Sequence, residues 1–203
     1  MSPRRSDSRE RMLRSTMTLL REYGASATTV DRVLADSGAP RGSVYHHFPG
    51  GRTQLVEEAV TLGGELMTGV IETLAESDDP VEAVDTFFTR WRERVRDSGY
   101  RSGCPIVAVA VEANDDAPQL ARAAGDVFAR WQQAFTGLLN RLGLSEERAR
   151  RLATLIIAAE EGAVVMCRAQ QSTVPMEDAA SEIHDLLVDA LATRPENGHI
   201  AGQ

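Results

Sequence analysis

The 203-residue chain has 42% hydrophobic and 26% charged side chains, the balance of an ordinary globule, neither disordered nor fibrous. No apolar run approaches the ~18 residues that span a bilayer, and the start MSPRRSDSRERM lacks the apolar core of a secretory signal, so a cytoplasmic protein with no membrane partner is expected. The net charge of −8 is uneven: residues 1–52 carry nine arginines against five acids and the rest thirteen against twenty-five, a head of about +4 on a body of about −12, as expected where one end meets a polyanion.

Helical periodicity runs through nearly all of the chain. From Asp7 to Tyr23, Leu13, Met17 and Leu20 recur at spacings of four and three, and Gly24 supplies a stop. Thr28 and Thr29 are placed to cap a short second helix with the stripe Val30, Val33, Leu34, ending at Gly38. After the Gly38-Ala39-Pro40 turn, a third short helix fits Arg41 to His47, with Val44 and Phe48 four apart on its inner face; Pro49-Gly50-Gly51 breaks it. Arg52 to Glu76 reads as a long helix weakened by Gly63 and Gly64, at about 1 kcal/mol each relative to alanine.

Further helices are predicted at Pro80 to Asp97, Cys104 to Val111, Pro118 to Leu142, Ser145 to Gln170 and Met176 to Thr193. The run CPIVAVAV has the composition of a strand but no second strand to pair with, so it too is taken as helix. The expected fold is all-α with about nine helices. Residues 1–51 are expected to form a three-helix helix-turn-helix unit, 52–194 a larger acidic bundle, and 195–203 a frayed tail.

The stretch RGSVYHHFPG, Arg41 to Gly50, concentrates polar and aromatic groups. His46 and His47 are adjacent, so on a helix they diverge by about 100° and cannot chelate one ion. The remaining histidines, His184 and His199, are far away in sequence, and no metal or other cofactor is expected. No nucleophile elbow or phosphate loop surrounds Ser43, so nothing obliges the chain to be an enzyme. With Val44 and Phe48 turned inward, Gly42, Ser43, Tyr45 and His46 occupy the outer arc, flanked by Arg41 and His47. A helix with small polar residues at its start, entered from a preceding helix through a short turn, suits a DNA major groove.

Residues 7 to about 60 resemble the DNA-binding domain of the TetR family of bacterial repressors. The resemblance rests on Thr28-Thr29-Val30, Gly38, Tyr45-His46-His47-Phe48 and Arg52, in that order. It implies that Thr29 and Tyr45 contact phosphates, with Thr28 beside them, that His47 and Arg52 clamp the backbone, and that Arg41, Gly42, Ser43 and His46 lie against base edges. Two departures stand out: three residues rather than two separate Phe48 from its basic residue, and Asp31 occupies a position often basic in the family. The extended YHHFPGG, with GYRSGCPIVAVAVE at Gly99 to Glu112, is similar to the subgroup typified by lincomycin- and flavonoid-responsive repressors.

In the body, Phe87, Phe88 and Trp91 share one helical face and Phe128, Trp131 and Phe135 another, either as ordinary core or as walls of a small-molecule cavity. The resemblance favours a small apolar or aromatic effector among Met67, Val70, Phe87, Phe88, Trp91, Cys104, Phe128, Trp131 and Met166. Glu160 and Glu161 interrupt the most apolar helix, LIIAAEEGAVVMC; one is expected to face a pocket or partner and the other solvent or an arginine. Homodimerisation is implied through the last two helices, with Leu155, Ala159, Gly162, Ala163, Ile183, Leu187 and Leu191 at the interface. The expected function is a dimeric, ligand-responsive repressor on a palindromic operator. Its rivals are a thiol sensor using Cys104 or Cys167 and an enzyme using Glu160 or Glu161 as acid or base.

Overall fold

The computed structural model describes residues 3–77, 79–112 and 117–193, the first four by backbone alone. Among them are nine α-helices and no strand: α1 (Pro3–Tyr23), α2 (Val30–Ser37), α3 (Ser43–His47), α4 (Gly51–Leu74), α5 (Pro80–Asp97), α6 (Pro105–Glu112), α7 (Pro118–Arg141), α8 (Glu146–Gln170) and α9 (Val174–Ala192). The expected frayed tail and His199 lie outside the described residues. No described helix is long and apolar enough to cross a membrane.

Local chemistry accounts for most helix boundaries. The Thr29 side chain accepts from Arg32 N at the start of α2, and Gly38 closes that helix in the left-handed conformation, φ 63°. Asp79 accepts from Val81 N and Glu82 N ahead of Pro80 in α5, and Ser145 accepts from Arg148 N at the start of α8. The third helix is shorter than its periodicity predicts. Ser43 turns its amide and hydroxyl back onto the Pro40 carbonyl, at 2.9 and 2.6 Å, which leaves Arg41 and Gly42 in the turn.

The long helix α4 starts beneath the head and runs through the body, packing on α1, α5, α6 and α7. Its glycine pair makes that possible. A Cβ on Gly64 would stand 2.8 Å from Val127 Cγ1 on α7 and closer still to Cγ2, while one on Gly63 would meet Met17 Sδ of α1 at 3.4 Å and Pro105 Cγ of α6 at 3.7 Å. The same close approach lets Trp131 Nε1 of α7 donate to Gly64 O at 3.2 Å. The two glycines that looked like weak points in the sequence are therefore where the helices touch.

One further contact ties head to body. The α1–α2 turn begins at Gly24, φ 84°, and its next two amides, Ala25 N and Ser26 N, donate to Glu112 Oε1 and Oε2 at 2.8 and 2.6 Å. Glu112 is the last residue of α6, where the helix dipole disfavours a carboxylate. Its partners are therefore the turn and not its own helix. Gly24 is required both by its dihedral and by space, since a Cβ there would collide with Glu112 Oε1. Nearby, Arg52 Nε donates to Thr28 O at 2.8 Å and its Nη2 to Ala25 O, Gly103 N donates to Arg21 O at 3.0 Å, and Arg168 Nη2 to Glu22 O at 3.2 Å. Partial burial pulls the Glu112 carboxyl upward, but the Ser26 and Ala25 hydrogen bonds and the Arg52 charge outweigh it, and the net shift is downward.

Gly64→Ala gains helix propensity, about 1 kcal/mol, but overpacks against the stiff, fully buried Val127 and is expected to destabilise by about 1–3 kcal/mol net. Gly69→Ala, with nothing within 4 Å of the new methyl, should stabilise by up to about 1 kcal/mol. Parallel thermal melts check both signs. Glu112→Ala should lower stability by about 1 kcal/mol, a small figure because the carboxylate is exposed to screening. Its folded pKa lies below the unfolded one, so this contribution is present above the ordinary carboxylate range and lost as pH falls through the lowered value. Melts of variant and parent should converge in acid.

Candidate nucleic-acid interface and ligand cavity

The head is built around Met12, Leu20, Val33, Leu34, Val44, Phe48, Leu55 and Val56, all buried. Burial of Val44 and Phe48 fixes the rotation of α3 and turns its other arc outward. Tyr45 is 66% exposed, and Arg41, Gly42 and His46 are exposed beside it. His47 is half-buried, edge-on to Phe48 at 6.4 Å and to His46 at 5.0 Å. Arg9 from α1 covers the other side of Phe48, its guanidinium 5.3 Å from the ring centroid, and pairs with Glu58 of α4. Arg11 Nη1 donates to Ser37 O at 3.0 Å, fixing the end of α2 to α1.

Two residues of the expected DNA-contacting set lie elsewhere. Thr28 is buried and its hydroxyl donates to Gly24 O at 2.7 Å, so it shapes the turn and cannot reach a phosphate. Arg52 spends its guanidinium on the carbonyls of Thr28 and Ala25, a brace rather than a phosphate clamp. The extra glycine before Arg52 agrees with this: α4 begins at Gly51, which puts Arg52 in its first turn, under the α1–α2 turn. Thr29, Arg41, Gly42, Tyr45 and His46 remain on the open side. Ser43 stands half-buried at the start of α3, with its hydroxyl occupied by Pro40.

In the body, Met67 and Val70 of α4 and Phe87 and Trp91 of α5 line a cavity of about 240 Å³ together with Arg90, Glu93 and Arg94. Four expected wall residues are thus brought together. Phe88, Phe128 and Trp131 are not among these walls. Phe88 stands edge-on to Phe87 at 6.0 Å, Phe128 stands edge-on to Trp131 at 5.6 Å, and Trp131 serves the α4–α7 crossing. Met166 is 50% exposed on the outer side of α8 and is not among these walls. The charged walls Arg90, Glu93 and Arg94 were not expected from the aromatic spacing, although Arg90 and Arg94 follow Phe87 and Trp91 by three residues each and so share their helical face.

Both glutamates of α8 are buried, Glu160 fully and Glu161 at 8% exposure, which corrects the expectation that one would face solvent or pair with an arginine. The helix is enclosed by α5, α7 and α9, so adjacent positions both find interior. All four carboxylate oxygens lack hydrogen-bond partners among the described residues. Burial, then the neighbouring Glu161 charge, raises Glu160 well above the usual range despite the opposing Arg94; burial raises Glu161 to about 7 against a lowering by the Cys104 thiol. That thiol faces Glu161 without a hydrogen bond of regular geometry. Burial and the two glutamates push Cys104 up, and burial raises Cys167. Both cysteines are buried and free, which makes them poor thiolates and argues against the thiol sensor.

The outer side of α8 carries Leu155, Ala158, Gly162, Val165 and Met166, all exposed, with Ala159 half-buried, and α9 adds exposed Val174 and Val188 with half-buried Leu191. Three residues expected at an interface belong to the chain's own core instead: Ala163, Ile183 and Leu187 are buried. In α9 the middle of the apolar stripe faces α5 and α8, and only its flank is open. Among the described residues no cluster of three or more histidine, cysteine or acidic groups is arranged to hold a metal.

Comparison with known proteins agrees with this geometry. Residues 12–59 match the family described as bacterial regulatory proteins, tetR family, and residues 80–182 match the C-terminal domain described as transcriptional regulator LmrA/YxaF-like. An uncharacterized HTH-type transcriptional regulator of Mycobacterium tuberculosis is 40% identical over 92% of this chain and 97% of its own length. The HTH-type transcriptional regulator LmrA of Bacillus subtilis is 30% identical over 89% and 97%. Among solved structures, a TetR transcriptional regulator from Chloroflexus aurantiacus superposes with a TM-score of 0.77 at 25% identity, covering 92% of this chain and 97% of that one. The chain belongs to the TetR family of DNA-binding transcriptional regulators, with a C-terminal domain of the LmrA/YxaF-like type.

Proposed function

We propose that the protein is a dimeric repressor that reads a palindromic operator through α3 and leaves it when a small molecule occupies the body. The observation that carries this reading is the exposed arc Arg41, Gly42, Tyr45 and His46, held rigid from behind by Val44 and Phe48. Tyr45 and Thr29 supply hydroxyls to phosphates, His46 a ring to base edges, and Arg41 a guanidinium able to fork onto guanine. No lysine stands in the chain, so each cationic contact is of this planar, bidentate kind.

The apolar outer side of α8 with the open flank of α9 is the surface for a second copy. Small residues at Ala158 and Gly162 let two α8 helices approach closely, and Leu155, Val165, Met166 and Val188 supply the area. Two heads then read half-sites about 34–36 Å apart, or a multiple of that distance. A ligand between α4 and α5 shifts the helix that carries the head, and α6 passes the change to the α1–α2 turn through Glu112.

Gel shifts on DNA flanking the gene test the reading. Tyr45→Ala should weaken operator binding by about ten- to a hundred-fold with an unchanged circular dichroism spectrum, since a hydrogen bond is worth about 0.5–1.5 kcal/mol and a two-fold complex loses it twice, about 1–3 kcal/mol in all. Val165→Arg should give a monomer in sedimentation velocity and lose operator affinity with its fold intact. An unaltered oligomeric state would remove α8 from the interface.

A further inference from the structure

The acid pair on α8 stands apart from ordinary packing. Its four oxygens are unpartnered and nearly all of its surface is buried, where an apolar side chain would serve a simple core better. Cations lie within reach, but none closes an ion pair on it among the described residues. Arg94 of α5 acts on Glu160 through its charge, yet its guanidinium rests 4.8 Å from the Trp91 ring centroid. Arg21 of α1 lies near Arg94 and the Cys104 thiol, with its own Nε unpartnered. A metal ion is the wrong occupant, since no third donor among the described residues completes a site.

Trp91 gives an independent signal. Its side chain is 2% exposed, its indole N–H has no partner, and it lines the cavity with Met67, Val70 and Phe87. Arg94 is common to that cavity wall and to the surroundings of the acid pair, and is the side chain an entering cation displaces. We infer that this corner recognises a monovalent organic cation, a protonated amine on an apolar or aromatic body. The ammonium pairs with Glu160 and Glu161, the body lies against Met67, Val70, Phe87 and Trp91, and the indole N–H meets an acceptor on the ligand. The inference rests on the proposal that the cavity holds the effector, and it specifies the class of molecule.

Binding is coupled to protons. Burial raises Glu161 to about 7 and holds Glu160 well above the usual carboxylate range, so the free pair holds protons near neutral pH and gives them up when the ammonium binds. The groups acting on the pair are Arg94 and the Cys104 thiol, with Arg21 beyond them near both, and the thiol, itself raised, stays neutral over the same range. Affinity for the amine therefore falls as pH drops below about 7.

Titration calorimetry of the full chain with 4-phenylbutylamine and with 4-phenylbutan-1-ol tests the site. At pH 8 the amine should bind about ten-fold or more tighter than the alcohol, with proton release seen as a dependence of the heat on buffer, and the margin should shrink at pH 5.5. The double variant Glu160→Gln, Glu161→Gln should erase the margin, bringing amine affinity down to that of the alcohol. It should also melt higher than the parent at pH 8: carboxyls whose folded pKa is raised make folding less favourable as pH climbs above the unfolded value, and removing them removes that penalty. Equal binding of the two probes, no binding of the amine, or a margin that survives the double variant would overturn the inference. Operator gel shifts separate it from the regulator reading. An amine that binds through the glutamates but leaves operator affinity unchanged keeps the site and overturns its effector role. Release by the alcohol as readily as by the amine overturns the cation preference and keeps the regulator.

Discussion

The crossing of α4 and α7 at Gly64 is the constraint on which the other contacts depend. Val127 occupies the space a side chain at Gly64 would need, and Trp131, one turn further along α7, donates to the Gly64 carbonyl. With α7 seated there, the other side of α4 is left for α1 and α6, which meet at Gly63 through Met17 and Pro105. A helix that is exposed backbone on two sides is weak by propensity. It is stable here because close packing on both sides replaces the missing side chains. Head and body thus share one central rod, and the position of the rod fixes the position of the head.

Helix α6 is short, eight residues, and both of its ends are engaged. Just ahead of its first residue, Cys104 lies against the buried Glu160 and Glu161; its last residue, Glu112, holds two amides of the α1–α2 turn. Eight residues of helix span about 12 Å, and α6 packs against α1, α4 and α7 along the way. A change of charge or occupancy at the acid pair is therefore one short rigid element away from the turn that carries α2 and α3.

The helices and the exposed face of α3 were legible in the sequence because both are set by local rules. Apolar spacing of three and four located the helices to within a few residues, and placing Val44 and Phe48 inside was enough to turn Tyr45 and His46 outward. What failed were assignments that depend on which side of a half-apolar helix faces its own chain. Met166 and Ile183 are alike in character, yet one is open on α8 and the other buried under α5, since the difference is made by neighbours distant in sequence. Glu112 was invisible for the same reason: its partners lie more than eighty residues away, and as a lone acid at the end of a short helix it carried no pattern. The burial of both Glu160 and Glu161 follows from how many helices surround α8, which periodicity along one helix does not report.

Arg52 sharpens what the charge of the head means. Arg11, Arg32, Arg52 and Arg168 all donate to main-chain carbonyls at or near the ends of α1 and α2, supplying donors where helix termini lack them. A lysine would bring one compact ammonium to such a place, whereas the Arg52 fork reaches two carbonyls at once. The positive field of the head survives this use, because hydrogen bonds to neutral carbonyls leave the charge in place, and the field still steers a polyanion toward the head. Direct contact is another matter and requires donors left open. Arg41, exposed in the turn before α3, is placed for it. The arginine excess thus serves two ends with one residue type, bracing the turn from within and drawing DNA from without, and only position in the fold tells which arginine does which.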